Sequence, residues 1–169
     1  GEYGIALRNA LPCAVLGSVL LALTRRFALS LWLCGLLVGA TYAVNALKLR
    51  HLRTPLLPMD FSAAAQNLGH GVLGHFVPRD SAAVLACAAA VLVAVVLALR
   101  ERPLAGLRRV PRAILFAVGI ALGGTLLAGA APWDRLYARE LLDFQPWAPR
   151  YSMDHAGLVA GLLRYRWEM

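Results

Sequence analysis

Acidic residues are scarce in this chain, lysine is almost absent, and the usual catalytic signatures are missing. Nine Asp and Glu stand against 17 Lys and Arg, and Lys48 is the only lysine. There is no GxSxG, HExxH, Walker A or CxxC pattern anywhere in the 169 residues, so a self-contained hydrolase or transferase site is not visible. Three cysteines, Cys13, Cys34 and Cys87, each lie inside apolar runs. There they behave as small hydrophobes, with no spacing for disulfides or a metal.

What is present is apolar sequence, 60% of all residues, with a mean hydropathy of +0.64. That is more than a soluble domain of this size needs, and it points to a multi-span membrane protein. The basic excess, +8 at pH 7, would suggest nucleic acid in a soluble protein. Here the arginines lie between apolar runs, where they serve as span flanks and headgroup contacts, and no nucleic-acid partner is expected.

Crossing the ~30 Å hydrocarbon layer takes ~20 apolar residues. Runs at 27–47 and 81–99 meet this without a charge, and 113–132 is a third. A run at 6–24 becomes long enough if Arg8 snorkels to the interface. The expected fold is therefore all-α: a polytopic membrane helix bundle of about four spans, with residues 1–132 as the transmembrane domain and 48–80 as an outer loop. Gly35 and Gly39, and Gly119, Gly123 and Gly124, are candidate close-packing points between helices.

Charge does not orient the bundle by itself. Arg25, Arg26, Arg100, Arg102, Arg108, Arg109 and Arg112 crowd two short loops at one end. Arg8, Lys48, Arg50, Arg53, Arg79, Arg135, Arg139 and Arg150 are spread over longer segments at the other. Density favours the first set as cytoplasmic and number favours the second.

The segment NALKLRHLRTPLLPMDF, 45–61, carries the candidate site. Asn45 and Lys48 share a helix face, Pro55 and Pro58 end the helix and stiffen a turn, and Asp60 lies within reach of Lys48 or Arg53. Arginine offers a fork and lysine a point charge to a phosphate. Beyond it, the uncharged segment 61–76 with His70 and His75 reads as an interfacial or re-entrant segment. The two histidines are spaced too poorly for one metal, and no metal ligands or catalytic residues are assigned. WDRLYARELLDFQPW, 133–147, reads as a juxtamembrane amphipathic helix anchored by Trp133 and Trp147, within an extracytoplasmic linker at 133–169. Asp154 beside His155 suits acid–base or metal chemistry but has no nucleophile motif with it. Beginning at Gly1 and closing on RYRWEM, the sequence is expected to be a piece of a longer protein.

Asn45, Lys48, Arg53, Pro55, Leu56, Leu57, Pro58 and Asp60 together resemble the N-x-x-K…R-x-P-L-L-P-x-D segment of lipoteichoic acid synthase-like membrane domains, a group that includes phosphoglycerol transferases of the alkaline phosphatase/sulfatase superfamily. The tail YSMDHAGLVAGLL is similar to that family's Y-x-x-N-G-F stretch, with Asp154-His155-Ala156-Gly157 in place of Asn-Gly. The resemblance implies a multi-pass protein of the bacterial inner membrane with an extracytoplasmic tail. It would anchor an extracytoplasmic catalytic domain, absent from this chain, in which a divalent metal and a threonine move phosphoglycerol from phosphatidylglycerol to an envelope glycan or polymer. Membrane lipids and that catalytic domain are the implied partners. Asn45, Lys48, Arg53, Pro55, Pro58 and Asp60 would form a headgroup or docking site, and no cofactor is implied for this chain itself. The competing expectation is a small stand-alone membrane scaffold that assembles through its glycine-lined helices.

Overall fold

A computed structural model describes residues 2–67 and 81–168. Among these residues every regular element is helical: α1 Glu2–Thr24, α2 Phe27–Leu52, α3 Pro58–Asn67, α4 Ser81–Arg100, α5 Arg109–Leu127, α6 Ala131–Leu136, α7 Arg139–Leu142, α8 Pro149–Ala156 and α9 Leu158–Glu168. Tyr3–Thr24, Phe27–Leu52 and Arg109–Leu127 are long and apolar enough to cross a bilayer, the mark of a membrane protein. Even α5, at 19 residues, extends about 28 Å at ~1.5 Å per residue. Val84–Arg100 within α4 is a shorter apolar helix, so the described residues provide three candidate spans where four were expected.

Alpha1 packs against both α2 and α5, and α2 packs against α4. The α1–α2 hairpin turns in two residues because Arg25 takes the left-handed conformation, φ 57°. Thr24 Oγ1 then accepts the Arg26 N–H at 3.2 Å. The α1–α5 seam depends on glycine: a Cβ at Gly119 would lie 2.7 Å from Val19 Cγ2, and one at Gly123 would touch Val15 at 3.6 Å. Gly35, Gly39 and Gly124 have nothing within 4 Å of such a position, so the GxxxG of α2 is not a packing face among the described residues. Trp32 ties α2 to α4 by donating its indole N–H to the Ala90 carbonyl at 3.1 Å.

The expected last span at 113–132 is helical over Arg109–Leu127 instead. The helix ends at Ala128, and the left-handed Gly129, φ 65°, turns the chain. A Cβ there would meet the Trp167 ring at 2.9 Å. The stretch read as one amphipathic helix, 133–147, is broken. Alpha6 and α7 are six and four residues long, separated at Tyr137–Ala138 and stopped by Asp143, φ 50°. The break has a packing cause. Tyr137, Leu142 and Phe144 turn inward to join Leu126, Met153, Leu158, Leu163 and Tyr165 in a common core, so these apolar side chains are buried in protein. Two edge-to-face ring pairs, Tyr137–Trp167 at 5.7 Å and Phe144–Tyr165 at 4.6 Å, lie in it. Residues 131–168 thus form a helical cap on one end of the bundle.

Candidate functional site

The cap is fastened to the start of α1 by groups that the first span makes available. Pro12 has no N–H, so the Arg8 carbonyl loses its helical partner. The buried Tyr137 hydroxyl donates to that carbonyl at 2.7 Å. Burial pushes the Tyr137 pKa up to about 12, against the opposing influence of the Arg8 charge, so the phenol keeps the proton it donates. The Arg8 guanidinium does not snorkel freely. It donates to the Leu136 carbonyl at 2.9 Å and the Leu141 carbonyl at 3.3 Å, closing the ends of α6 and α7. Asn9 donates to the Ala156 carbonyl at 2.8 Å, and its Oδ1 accepts the Val159 and Ala160 N–H groups at 3.1 Å each. It therefore caps α9 from another helix. Gly157, φ 82°, leaves the space that Asn9 occupies.

The segment 45–60 lies at the same end. Asn45 Oδ1 accepts the Leu56 N–H at 2.8 Å, and Asp60 accepts the Leu57 N–H at 2.6 Å. Lys48 Nζ pairs with Asp60 at 2.5 Å. These contacts hold residues 53–58 as a ledge whose Pro55 and Leu56 are buried. Pro58, expected within an extended turn, instead opens α3, where its fixed φ suits a first helical residue. Arg53 ends α2 in the left-handed conformation, φ 56°. Its exposed side chain has no partner among the described residues, so the choice left open for Asp60 falls to Lys48.

Between ledge and cap lies a cleft of about 260 Å³, lined by Tyr42, Asn45, Leu49 and Pro55 on one side and Arg150, Met153, Asp154, Gly157 and Leu158 on the other. Arg150 and Asp154 are exposed, and neither has a side-chain partner among the described residues. His155 faces elsewhere: its Nδ1 donates to the Tyr151 carbonyl at 2.9 Å and its ring stacks on Tyr151. Asp154 and His155 are therefore sequence neighbours without being a catalytic pair.

Asn45 and Pro55 thus line the cleft, Lys48 and Asp60 brace its ledge, and Arg53 stands apart. Trp133 is half-buried, donating to Thr125 Oγ1 at 3.0 Å, whereas Trp147 is 80% exposed. Sequence reasoning missed Tyr42, Arg150 and Asn9. An amide in an apolar run was the available signal for Asn9; nothing in the sequence pairs residue 42 with residue 150. His70, His75 and Arg79 lie outside the described residues. Among the described residues no cluster of three or more His, Cys, Asp or Glu is placed to hold a metal. Comparisons with protein families, with curated proteins and with solved structures found no match to this chain.

Proposed function

We propose that this chain is the membrane domain of a lipid-dependent phosphoglycerol or related headgroup transferase in the bacterial inner membrane. It anchors an extracytoplasmic catalytic domain, supplied outside this chain, that carries the divalent metal. In this reading α4 is a fourth span, the cap end faces out, and the arginine-rich loops at the other end are cytoplasmic.

The observation that carries the proposal is the cleft between ledge and cap. Lys48 is already neutralised by Asp60, so its role is to hold the ledge. Of the described residues that line the cleft, Arg150 is the cation available to meet a lipid phosphate, with Asp154 one helical turn away to accept a headgroup hydroxyl. One cation at such a surface contributes about 1 kcal/mol, enough to bias lipid residence without tight binding. The firmly packed cap supports a platform role, because a domain attached to it would keep a fixed height and direction.

The test uses the full-length protein in vesicles containing phosphatidylglycerol. Arg150→Gln is expected to lower phosphoglycerol transfer about fivefold, matching one lost cation contact, with an unchanged amount of protein in the membrane. Undiminished transfer would remove the cleft from the mechanism. A scaffold role has one observation in its favour: the open Gly35 and Gly39 positions on α2, where a partner helix would fit. Cysteine cross-linking from that face to another chain would point to this second reading.

A further inference from the structure

The end of the bundle away from the cap holds Arg25, Arg26, Arg100, Arg102, Arg108, Arg109 and Arg112 against a single acid, Glu101. Glu101 is fully engaged. Its two oxygens accept the Ala28 and Leu29 N–H groups at 2.8 and 2.9 Å, capping α2. Two arginines are engaged as well. Arg26 donates to the Ala98 carbonyl near the end of α4, and Arg112 donates to the Ala22 carbonyl at 2.7 Å, closing α1.

Arg25, Arg108 and Arg109 are different. They converge with Val110 and Pro111 on one hollow of about 500 Å³. Among the described residues none of the three guanidinium groups has a partner, and Arg25 Nε is buried without a hydrogen bond. The start of α5 opens into the same hollow. Its N-cap, Arg108, supplies no side-chain bond, and its first turn contains no acid. Of the two helices that begin at this end after a tight connection, α2 therefore has its carboxylate and α5 has three cations and no anion.

We propose that this hollow binds the phosphate of an anionic phospholipid. The phosphate oxygens accept from Arg25, Arg108 and Arg109 and complete the start of α5, where the helix dipole also favours negative charge. The apolar surroundings favour a lipid over a soluble phosphate. Leu23, Val110 and Ile114 are exposed beside the hollow, on the two helices whose long apolar runs face the bilayer, so acyl chains have a path from the headgroup down the α1–α5 seam. This site lies at the opposite end from the cleft and does not depend on the transferase reading.

The experiment uses the whole chain in nanodiscs of phosphatidylcholine doped with phosphatidylglycerol, with retained lipid read by native mass spectrometry. Wild type is expected to retain phosphatidylglycerol over phosphatidylcholine at least about tenfold, since each well-placed cation is worth about fivefold. Arg25→Gln/Arg108→Gln/Arg109→Gln should erase most of that preference. The same three positions changed to Lys should keep part of it, and Arg135→Gln/Arg166→Gln, exposed at the cap end, should leave it intact. No preference in wild type overturns the proposal whether or not any variant folds. An equal loss in the Arg135/Arg166 control overturns it too. Release of the lipid by millimolar inorganic phosphate, with phosphate bound in its place, would make this a soluble-anion site and also refute the lipid proposal.

Discussion

The two ends of this bundle solve the same problem in opposite ways. Every helix end leaves backbone groups without helical partners, and in a membrane protein those groups lie where water thins out. At the cap end, partners come from a folded unit with its own core: Asn9, Arg8 and Tyr137 join α1 to α9, α6 and α7. Ion pairs there include Lys48–Asp60, Arg164–Asp134 and Arg139–Glu168. At the arginine end no such unit exists among the described residues. Individual charged side chains reach across to a neighbouring helix instead, Glu101 to α2, Arg26 to α4 and Arg112 to α1. The first arrangement answers the ends of α6, α7 and α9 from within the protein. The second leaves Arg25, Arg108 and Arg109 at one hollow without a partner among the described residues. A compact cap is rigid because its contacts support one another, whereas side-chain caps act one at a time and leave room for a ligand.

The largest test of this contrast is Tyr137→Ala. Tyr137 is fully buried, and losing a core aromatic costs about 3–5 kcal/mol, with the hydrogen bond to Arg8 lost besides. The expected outcome is a detached cap: protease cleavage within 131–168 while the spans stay protected, and no change in proteolysis at the arginine end. If both ends loosen together, they are one cooperative unit and the contrast is wrong.

Asn9→Ala comes next. It removes an amide that caps α9 and serves the Ala156 carbonyl, a loss of about 1–2 kcal/mol by the usual worth of a helix cap. Thermal unfolding in detergent should show a lower midpoint, with the shift carried by the cap core, read from Tyr165 and Trp167 fluorescence. An unchanged midpoint would mean the α1–cap contact contributes little.

The smallest expected effect is on pH dependence, and it addresses both ends at once. At Glu101, burial tends to raise the carboxyl pKa, but the N–H groups of Ala28, Leu29 and Phe27 and the charge of Arg26 outweigh it and hold the value below the ordinary range. At Glu168, hydrogen bonding from Arg139, opposed by burial and helped by Arg164, does the same. A depressed carboxylate stabilises the fold above its ordinary value near 4.5, and that contribution fades as pH falls through the lowered folded value. Acid should therefore weaken each end separately. Glu101→Gln should make the α1–α2 end less sensitive to pH between 5 and 3, and Glu168→Gln the cap. Cysteine accessibility at each end across that range gives the answer. If either substitution leaves acid sensitivity as it was, that carboxylate is not a linked group.

Much of the helical content was legible in the sequence, and so was part of the candidate site. Uncharged apolar runs of span length can satisfy their backbone only as helices, so 27–47 is readable from run length and charge alone. The Lys48–Asp60 proximity is readable too, because prolines between them restrict where the chain can go. Glycine pattern is a poorer guide. Gly35–Gly39 and Gly119–Gly123 have the same GxxxG spacing, yet among the described residues the first pair meets open space while the second packs against Val19 and Val15 of α1. Spacing defines a helix face but not the neighbour that meets it. The 133–147 stretch failed for a related reason. An amphipathic pattern states that one face leaves water, and both a bilayer and a protein core meet that requirement. Only the packing of α8 and α9 selected the core.

Sequence alone determined that the chain is helical and membrane-embedded, where its charges are concentrated, and that Pro12 leaves the Arg8 carbonyl without a helical partner. These follow from local chemistry: run length, charge, and a missing N–H. Tertiary structure alone decided that Tyr137 would answer that carbonyl from 129 positions away, that Lys48 would be neutralised while Arg150 stayed free, and that Arg25, Arg108 and Arg109 would meet at one hollow. Such outcomes depend on which distant segments are brought together, and that is settled by helix packing, which no single stretch of sequence contains.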